Sequence, residues 1–206
     1  MQLFEASALS DGAFDQILSF LRAGGVIGFP TDTSYGLGAD PFSERAVRRI
    51  FEIKGRPETK PILLLVNSIE MATHIAHLSD KAQELAQRFW PGPLTMILPA
   101  RDSVPSLLTA GTGTIGIRWP SAEFAERLIA RFGRPITATS ANRSGLPSTV
   151  TASEVCQQLG DDLELVVDGG RLPSRSGSTL LDLTSVPPRI LREGPIQEAE
   201  LSDVLR

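Results

Sequence analysis

The segment Lys54-Gly55-Arg56-Pro57-Glu58-Thr59-Lys60-Pro61 gathers three cations and two prolines into eight residues, directly before the apolar run Ile62-Leu63-Leu64-Leu65-Val66. A stiff basic loop leading into a strand can hold a concentrated positive field against a polyanion. Arg offers phosphate a planar fork and Lys a compact point charge. Standing alone, such a loop is also an ordinary solvated surface.

Three more segments beside strand-like runs carry hydroxyls or cations. Pro30-Thr31-Asp32-Thr33-Ser34-Tyr35-Gly36-Leu37-Gly38 could close around a small polar ligand, or form a turn of local side-chain hydrogen bonds. Thr139-Ser140-Ala141-Asn142-Arg143-Ser144-Gly145 places Ser and Asn where they can meet phosphate or a metal-bound water, or cap a helix. Arg175-Ser176-Gly177-Ser178-Thr179 enters a strand, and Arg118 and Arg192 end strands of their own. G-x-x-x-x-G-K-[ST] does not occur, and there is no nucleophile elbow. Cations at strand ends without a nucleophile suggest a phosphorylated ligand and direct displacement at phosphorus. That chemistry relies on positioning and charge neutralisation.

Helical and strand patterns alternate to position these segments. Ser10 predicts an N-cap, with Phe14, Ile17, Leu18 and Leu21 on one helical face. Ser43, Ser79 and Ser121 predict caps for helices burying Ala46, Val47, Ile50 and Phe51, then Ala82, Leu85, Ala86 and Phe89, then Ala125, Leu128, Ile129 and Phe132. Strands are expected over 26–29, 62–66, 94–98, 114–118, 136–139, 165–167, 179–183 and 189–191, with a short helix over 201–205. Such alternation predicts one α/β domain with a mixed, largely buried sheet. The loops 142–151 and 169–178 read as site loops, because compact domains seldom carry long structureless connections without a use.

The chain has 206 residues and a formal net charge of −4, so bulk charge does not draw it to polyanions and any phosphate or RNA site must be local. No apolar run reaches the roughly 20 residues that span a bilayer, and no signal peptide is evident at Met1-Gln2-Leu3-Phe4-Glu5. The single cysteine, Cys156, rules out an internal disulfide and a Cys-rich zinc site. It reads as a packing residue and suits a reducing cytosol. His74 and His77 stand three apart and could share a helix face, but a metal site there is not expected.

Taken in order, several motifs resemble those of the YrdC/TsaC family, the threonylcarbamoyl-AMP synthases. They are Gly25-Val26-Ile27 leading to Pro30-Thr31-Asp32-Thr33-Ser34-Tyr35-Gly36-Leu37, Lys54-Gly55-Arg56-Pro57 with Lys60, and Trp90-Pro91-Gly92-Pro93-Leu94-Thr95. Thr114-Ile115-Gly116-Ile117-Arg118-Trp119-Pro120, Ser140-Ala141-Asn142 with Ser144-Gly145, Ser178-Thr179-Leu180-Leu181-Asp182 and Ile190-Leu191-Arg192-Glu193-Gly194 complete them. The resemblance implies a single YrdC-like α/β domain over 1–206: a twisted open mixed sheet flanked by helices, with a positively lined concave cleft. It implies the short form, without an additional C-terminal domain. It also implies a cytoplasmic nucleotidyltransferase that makes threonylcarbamoyl-AMP and pyrophosphate from L-threonine, bicarbonate and ATP. The product would serve tRNA modification through a downstream threonylcarbamoyl transferase, with tRNA itself a possible partner and no membrane involved.

By the same resemblance Lys54, Arg56 and Lys60 are the catalytic cations. Lys54, Arg56, Thr114, Ser140, Asn142, Ser148 and Arg192 bind ATP, and Thr31, Arg118 and Ser178 bind threonine. Mg2+ would be held mainly by the ATP phosphates near Ser140 and Asn142. Some members have a histidine in the strand after the basic loop, where this chain reads Leu63-Leu64-Leu65. A non-catalytic RNA-binding paralogue should have lost the basic-loop and Ser-Ala-Asn motifs, which are intact here. The related module of hydrogenase maturation sits in a longer chain with zinc fingers, unlike a chain with one cysteine.

Overall fold

A computed structural model describes residues 1–173 and 176–205; Arg175 of the fourth segment lies outside them. The first half runs β1 (Gln2–Glu5), α1 (Asp11–Arg22), β2 (Ile27–Phe29), β3 (Gly36–Gly38), α2 (Glu44–Lys54), β4 (Leu64–Leu65), α3 (Ile69–Thr73), α4 (Asp80–Phe89) and β5 (Leu94–Pro99). The second half runs α5 (Ser106–Thr109), β6 (Thr114–Arg118), α6 (Glu123–Phe132), β7 (Ile136–Thr137), β8 (Thr139–Ser140), α7 (Ala152–Leu159), β9 (Leu165–Asp168), β10 (Thr179–Asp182), β11 (Arg189–Arg192) and α8 (Glu198–Leu205).

The expected caps form at α1, α2 and α4, where Ser10, Ser43 and Ser79 accept from the backbone N–H three residues on. Each satisfies one of the donors a helix start leaves unpaired. At α6 the expectation fails by one residue: the cap position is Ala122, which offers no side-chain acceptor, and Ser121 stands too early. α1 and α6 pack through the Phe14 and Phe124 rings, whose centroids lie 5.8 Å apart.

The expected single sheet is two mixed sheets. One has the strand order β1-β9-β2-β3-β8, the other β11-β10-β5-β6-β4-β7. The run 136–139, expected as one strand, divides between them. β7 pairs with β4 in the second sheet, and β8 pairs with β3 in the first. Ala138 is where the chain changes sheet, and it lines the space between them. β3 also replaces part of an expected loop. A Cβ at Gly38 would lie 2.8 Å from Phe29 Cε1, so this strand closes on β2 only without a side chain there.

Candidate functional site

The two sheets enclose a cleft of about 440 Å3, a size suited to small-molecule ligands. Alternation along β6 builds its floor. Ile115 and Ile117 are fully buried in the core, while Thr114, Gly116 and Arg118 face the cleft. Leu63 and Ile97 flank Gly116 as apolar floor. A Cβ on Gly116 would sit 3.2 Å from Leu63 Cβ, so the missing side chain keeps this stretch open. From the first sheet come Tyr35, Gly36, Thr139 and Ser140, and from β11 come Leu191 and Arg192.

The turn after β2 is held by its own hydroxyls. Thr31 Oγ1 donates to the Ser34 carbonyl at 2.7 Å and accepts the Thr33 N–H at 3.2 Å. Arg118, only 4% exposed, reaches this turn. Its Nη1 donates to Asp32 Oδ1 at 3.0 Å and to Thr33 Oγ1 at 3.3 Å. Arg118 Nε and Asp32 Oδ2 are buried without a partner. Burial pulls the Arg118 guanidinium below its ordinary value; Asp32 opposes that shift and Arg192 adds to it. Arg118 nevertheless stays a cation at neutral pH. Tyr35 Oη donates to the Gly170 carbonyl at 2.8 Å and accepts the Gly169 N–H at 2.9 Å, tying the turn to the end of β9. Burial pushes its phenol up.

At the other wall Arg56 Nη2 donates to the Pro61 carbonyl at 2.7 Å and Nη1 to Thr139 Oγ1 at 3.4 Å. Arg192 Nε and Nη2 both donate to the Ser178 carbonyl, at 3.0 and 2.8 Å. Burial lowers the affinity of both guanidinium groups for their proton. The cleft lining includes Arg56, Lys60, Arg118 and Arg192 and, among the described residues, no carboxylate.

Most of the residues proposed from sequence meet here. Thr31, Arg56, Lys60, Thr114, Arg118, Ser140, Ser148, Ser178 and Arg192 all line the cleft. Lys54 and Asn142 do not. Lys54 is 2% exposed, and its Nζ donates to the carbonyl oxygens of Ser140 and Asn142 from behind the wall. Burial, with the Arg56 charge beside it, pulls the ammonium down to about 7. Asn142 spends its Nδ2 on the carbonyls of Arg143 and Leu146, at 2.9 and 2.7 Å, leaving Oδ1 buried and unpartnered. A direct phosphate contact from either side chain therefore does not match their placement; both brace the loop that carries Ser140.

Sequence reasoning assigned no role to Asp32, Thr33, Thr95 or Thr139. For Asp32, Thr33 and Thr139 the signal lay in their motifs, where a carboxylate and hydroxyls sit beside Thr31 and Ser140; Thr95 stands beside no assigned residue. Among the described residues no three His, Cys, Asp or Glu side chains come together as metal ligands. Of the groups that face the cleft only the hydroxyl oxygens could ligate a hard cation, while the Lys and Arg side chains suit the phosphates that would carry it.

Fold and site define an α/β protein with a hydroxyl-lined, cation-bearing cleft between two mixed sheets. The family model for Sua5/YciO/YrdC proteins, described as telomere recombination, matches residues 19–194, and the chain belongs to that family. Over 184 residues it is 44% identical to the threonylcarbamoyl-AMP synthase of Pyrococcus abyssi, covering 88% of this chain and 54% of that protein. It is 38% identical to the Bacillus subtilis threonylcarbamoyl-AMP synthase, covering 95% of this chain and 57% of the relative. The chain thus spans little more than half the length of these relatives. The crystal structure of P. abyssi Sua5 complexed with L-threonine superposes with a TM-score of 0.93 at 39% identity, covering 99% of this chain and 61% of that one.

Proposed function

We propose that the chain is a nucleotidyltransferase that forms threonylcarbamoyl-AMP from L-threonine, bicarbonate and ATP. The threonine amine and bicarbonate combine to a carbamate with loss of water. A carbamate oxygen then bonds to the α-phosphorus as its bond to the pyrophosphate oxygen breaks. The observation that carries this reading is the convergence in one cleft of two sets of polar side chains. Arg118 with Thr31, Thr33 and Ser178 suits an amino acid bearing a hydroxyl and a carboxylate. Arg56, Lys60 and Arg192, with Ser140, Ser148 and Thr114, suit a triphosphate nucleotide. Mg2+ would enter on the ATP phosphates and neutralise their charge. Lys54 and Asn142 act by holding the Ser140 loop from behind.

The similarity to proteins named threonylcarbamoyl-AMP synthase supports the same reading. The product would pass to a threonylcarbamoyl transferase acting on tRNA in the cytoplasm. No helix among the described residues is long and apolar enough to cross a membrane.

The test is pyrophosphate release from Mg-ATP with and without threonine and bicarbonate. Release should require both. Valine should support it poorly, because a site built around a hydroxyl leaves buried partners unpaired when the hydroxyl is missing, and serine, which lacks only the methyl group, should support it less well than threonine. Equal release with any of these amino acids, or with none, would sink the proposal.

A further inference from the structure

Thr95, on β5, is fully buried and absent from the cleft lining. Its Oγ1 lies 2.6 Å from Ser178 Oγ, which does face the cleft. Ser178 Oγ also receives Arg192 Nη2 at 3.3 Å. Thr95 precedes Met96, whose pairing with Ile117 ends the β5–β6 ladder, so it lies one residue beyond that ladder, as Arg118 does on β6.

A hydroxyl has one proton and two lone pairs, and the Thr95–Ser178 contact allows two arrangements. If Ser178 donates, the Thr95 proton is left in a fully buried place with no acceptor among the described residues. If Thr95 donates, no donor is stranded and only Thr95 lone pairs go unused. A buried orphan donor costs more than an under-used oxygen, so the second arrangement prevails. Ser178 Oγ then accepts twice, from Thr95 and from Arg192. Only its proton remains for a ligand.

We infer that Thr95 is a positioning residue that fixes Ser178 as a hydrogen-bond donor, so that this end of the cleft selects a carboxylate over a group carrying its own N–H. The inference rests on the proposed amino-acid substrate for its ligand, but the direction of the proton stands apart from it. Arg118, across the ladder, supplies the charge complement. The assignment gives a role to the hydroxyl of the Trp90-Pro91-Gly92-Pro93-Leu94-Thr95 motif.

Calorimetric titration with threonine and with threoninamide tests it in the wild type, Thr95→Val and Thr95→Ser, each with a thermal melt. Thr95→Val keeps the β-branched shape and removes the donor. It should weaken threonine binding about three- to tenfold and narrow the preference for threonine over threoninamide, with the melt little moved. In turnover the loss should fall on KM for threonine and leave kcat nearly unchanged. Thr95→Ser should restore both affinity and preference. Wild-type affinity and preference in Thr95→Val, or a folded Thr95→Ser that fails to rescue, would overturn the inference. Neutron diffraction on the unliganded wild type gives a second readout that needs no variant to fold. The deuteron on the Thr95–Ser178 line should be bonded to Thr95 Oγ1, and a deuteron bonded to Ser178 Oγ would overturn the inference even with the synthase activity intact. A wild type that binds neither ligand but has the Thr95 deuteron would instead reject the amino-acid substrate and with it the carboxylate selection.

Discussion

At the scale of single residues, Lys54 and Arg56 separate two roles that one basic loop had merged. Ala46, Val47, Ile50 and Phe51 of α2 are buried, and Lys54 continues their spacing at the next turn. That phase sends Lys54 inward, and it could have been read from the sequence; the cation count of the loop obscured it. The buried ammonium makes a pH prediction. A lysine at about 7 when folded and near 10.4 when unfolded binds fewer protons in the folded state between those values. Stability from this group therefore rises with pH across that window. Two N–H donors remain on the neutral amine for the two carbonyls. Denaturant unfolding at pH 7 and pH 9 should show the wild type gaining roughly 1–2 kcal/mol relative to Lys54→Met over those two pH units. Parallel pH profiles for the two proteins would contradict the buried, proton-shedding Lys54.

Arg118 has a proposed binding role beside its contacts to Asp32 and Thr33, and a single substitution confounds the two. Arg118→Ala leaves the part-buried Asp32 without its cation, which should cost up to about 3 kcal/mol of stability. Threonine affinity should fall about ten- to hundredfold, as expected for a lost charged hydrogen bond. Arg118→Ala/Asp32→Ala should recover part of the stability and none of the affinity. Urea unfolding and threonine calorimetry on both variants check this, and recovered affinity in the double variant would show that Arg118 serves only Asp32.

At the scale of elements, α1, α2 and α4 were legible because cap, apolar stripe and terminator agree in each. β5, β6 and β10 were legible as apolar runs. What the sequence could not show was partnership. The run 136–139 looks like one strand in the sequence, yet Ile136-Thr137 and Thr139-Ser140 ladder with different sheets. β3 was hidden because Gly-Leu-Gly reads as a turn until Phe29 is placed over Gly38. Of the candidate site, the cleft-facing cations Arg56, Arg118 and Arg192 were legible at strand ends and loops, whereas Thr95 was not, since its partner Ser178 lies 83 positions away in sequence.

Two element-level predictions follow from the termini. Ala122 has extended backbone at the start of α6 and no side-chain acceptor. Ala122→Ser should stabilise the protein by about 0.5–1 kcal/mol, measured by thermal or urea unfolding; no gain would mean that the first-turn N–H groups are already satisfied. Gly55 ends α2 at φ 57°, and an added Cβ would meet nothing within 4 Å. Gly55→Ala should therefore cost about 1 kcal/mol through backbone strain alone. Because this residue sets the path from inward Lys54 to cleft-facing Arg56, turnover should fall along with stability. Unchanged turnover would show that Arg56 reaches its place independently of the helix cap.

At the scale of the whole molecule, residues of both sheets line one cleft. The net charge is −4, yet Arg56, Lys60, Arg118 and Arg192 line one space. ATP affinity should therefore weaken with added salt through these local charges, and Arg56→Ala should reduce the salt dependence measured by calorimetry. A ligand touching both walls should also couple the sheets during unfolding. Trp90 precedes β5 and Trp119 follows β6, so tryptophan fluorescence reports on the second sheet. Far-ultraviolet circular dichroism reports on the whole chain. ATP and threonine together, each at about 100 times its dissociation constant, should raise the unfolding free energy by roughly 2.7 kcal/mol per independently bound ligand. The fluorescence and dichroism transitions should move together by the same increment. A fluorescence transition that shifts while dichroism develops a second, unshifted step would place the ligand on the second sheet alone, and Tyr35, Thr139 and Ser140 would then no longer count among its contacts.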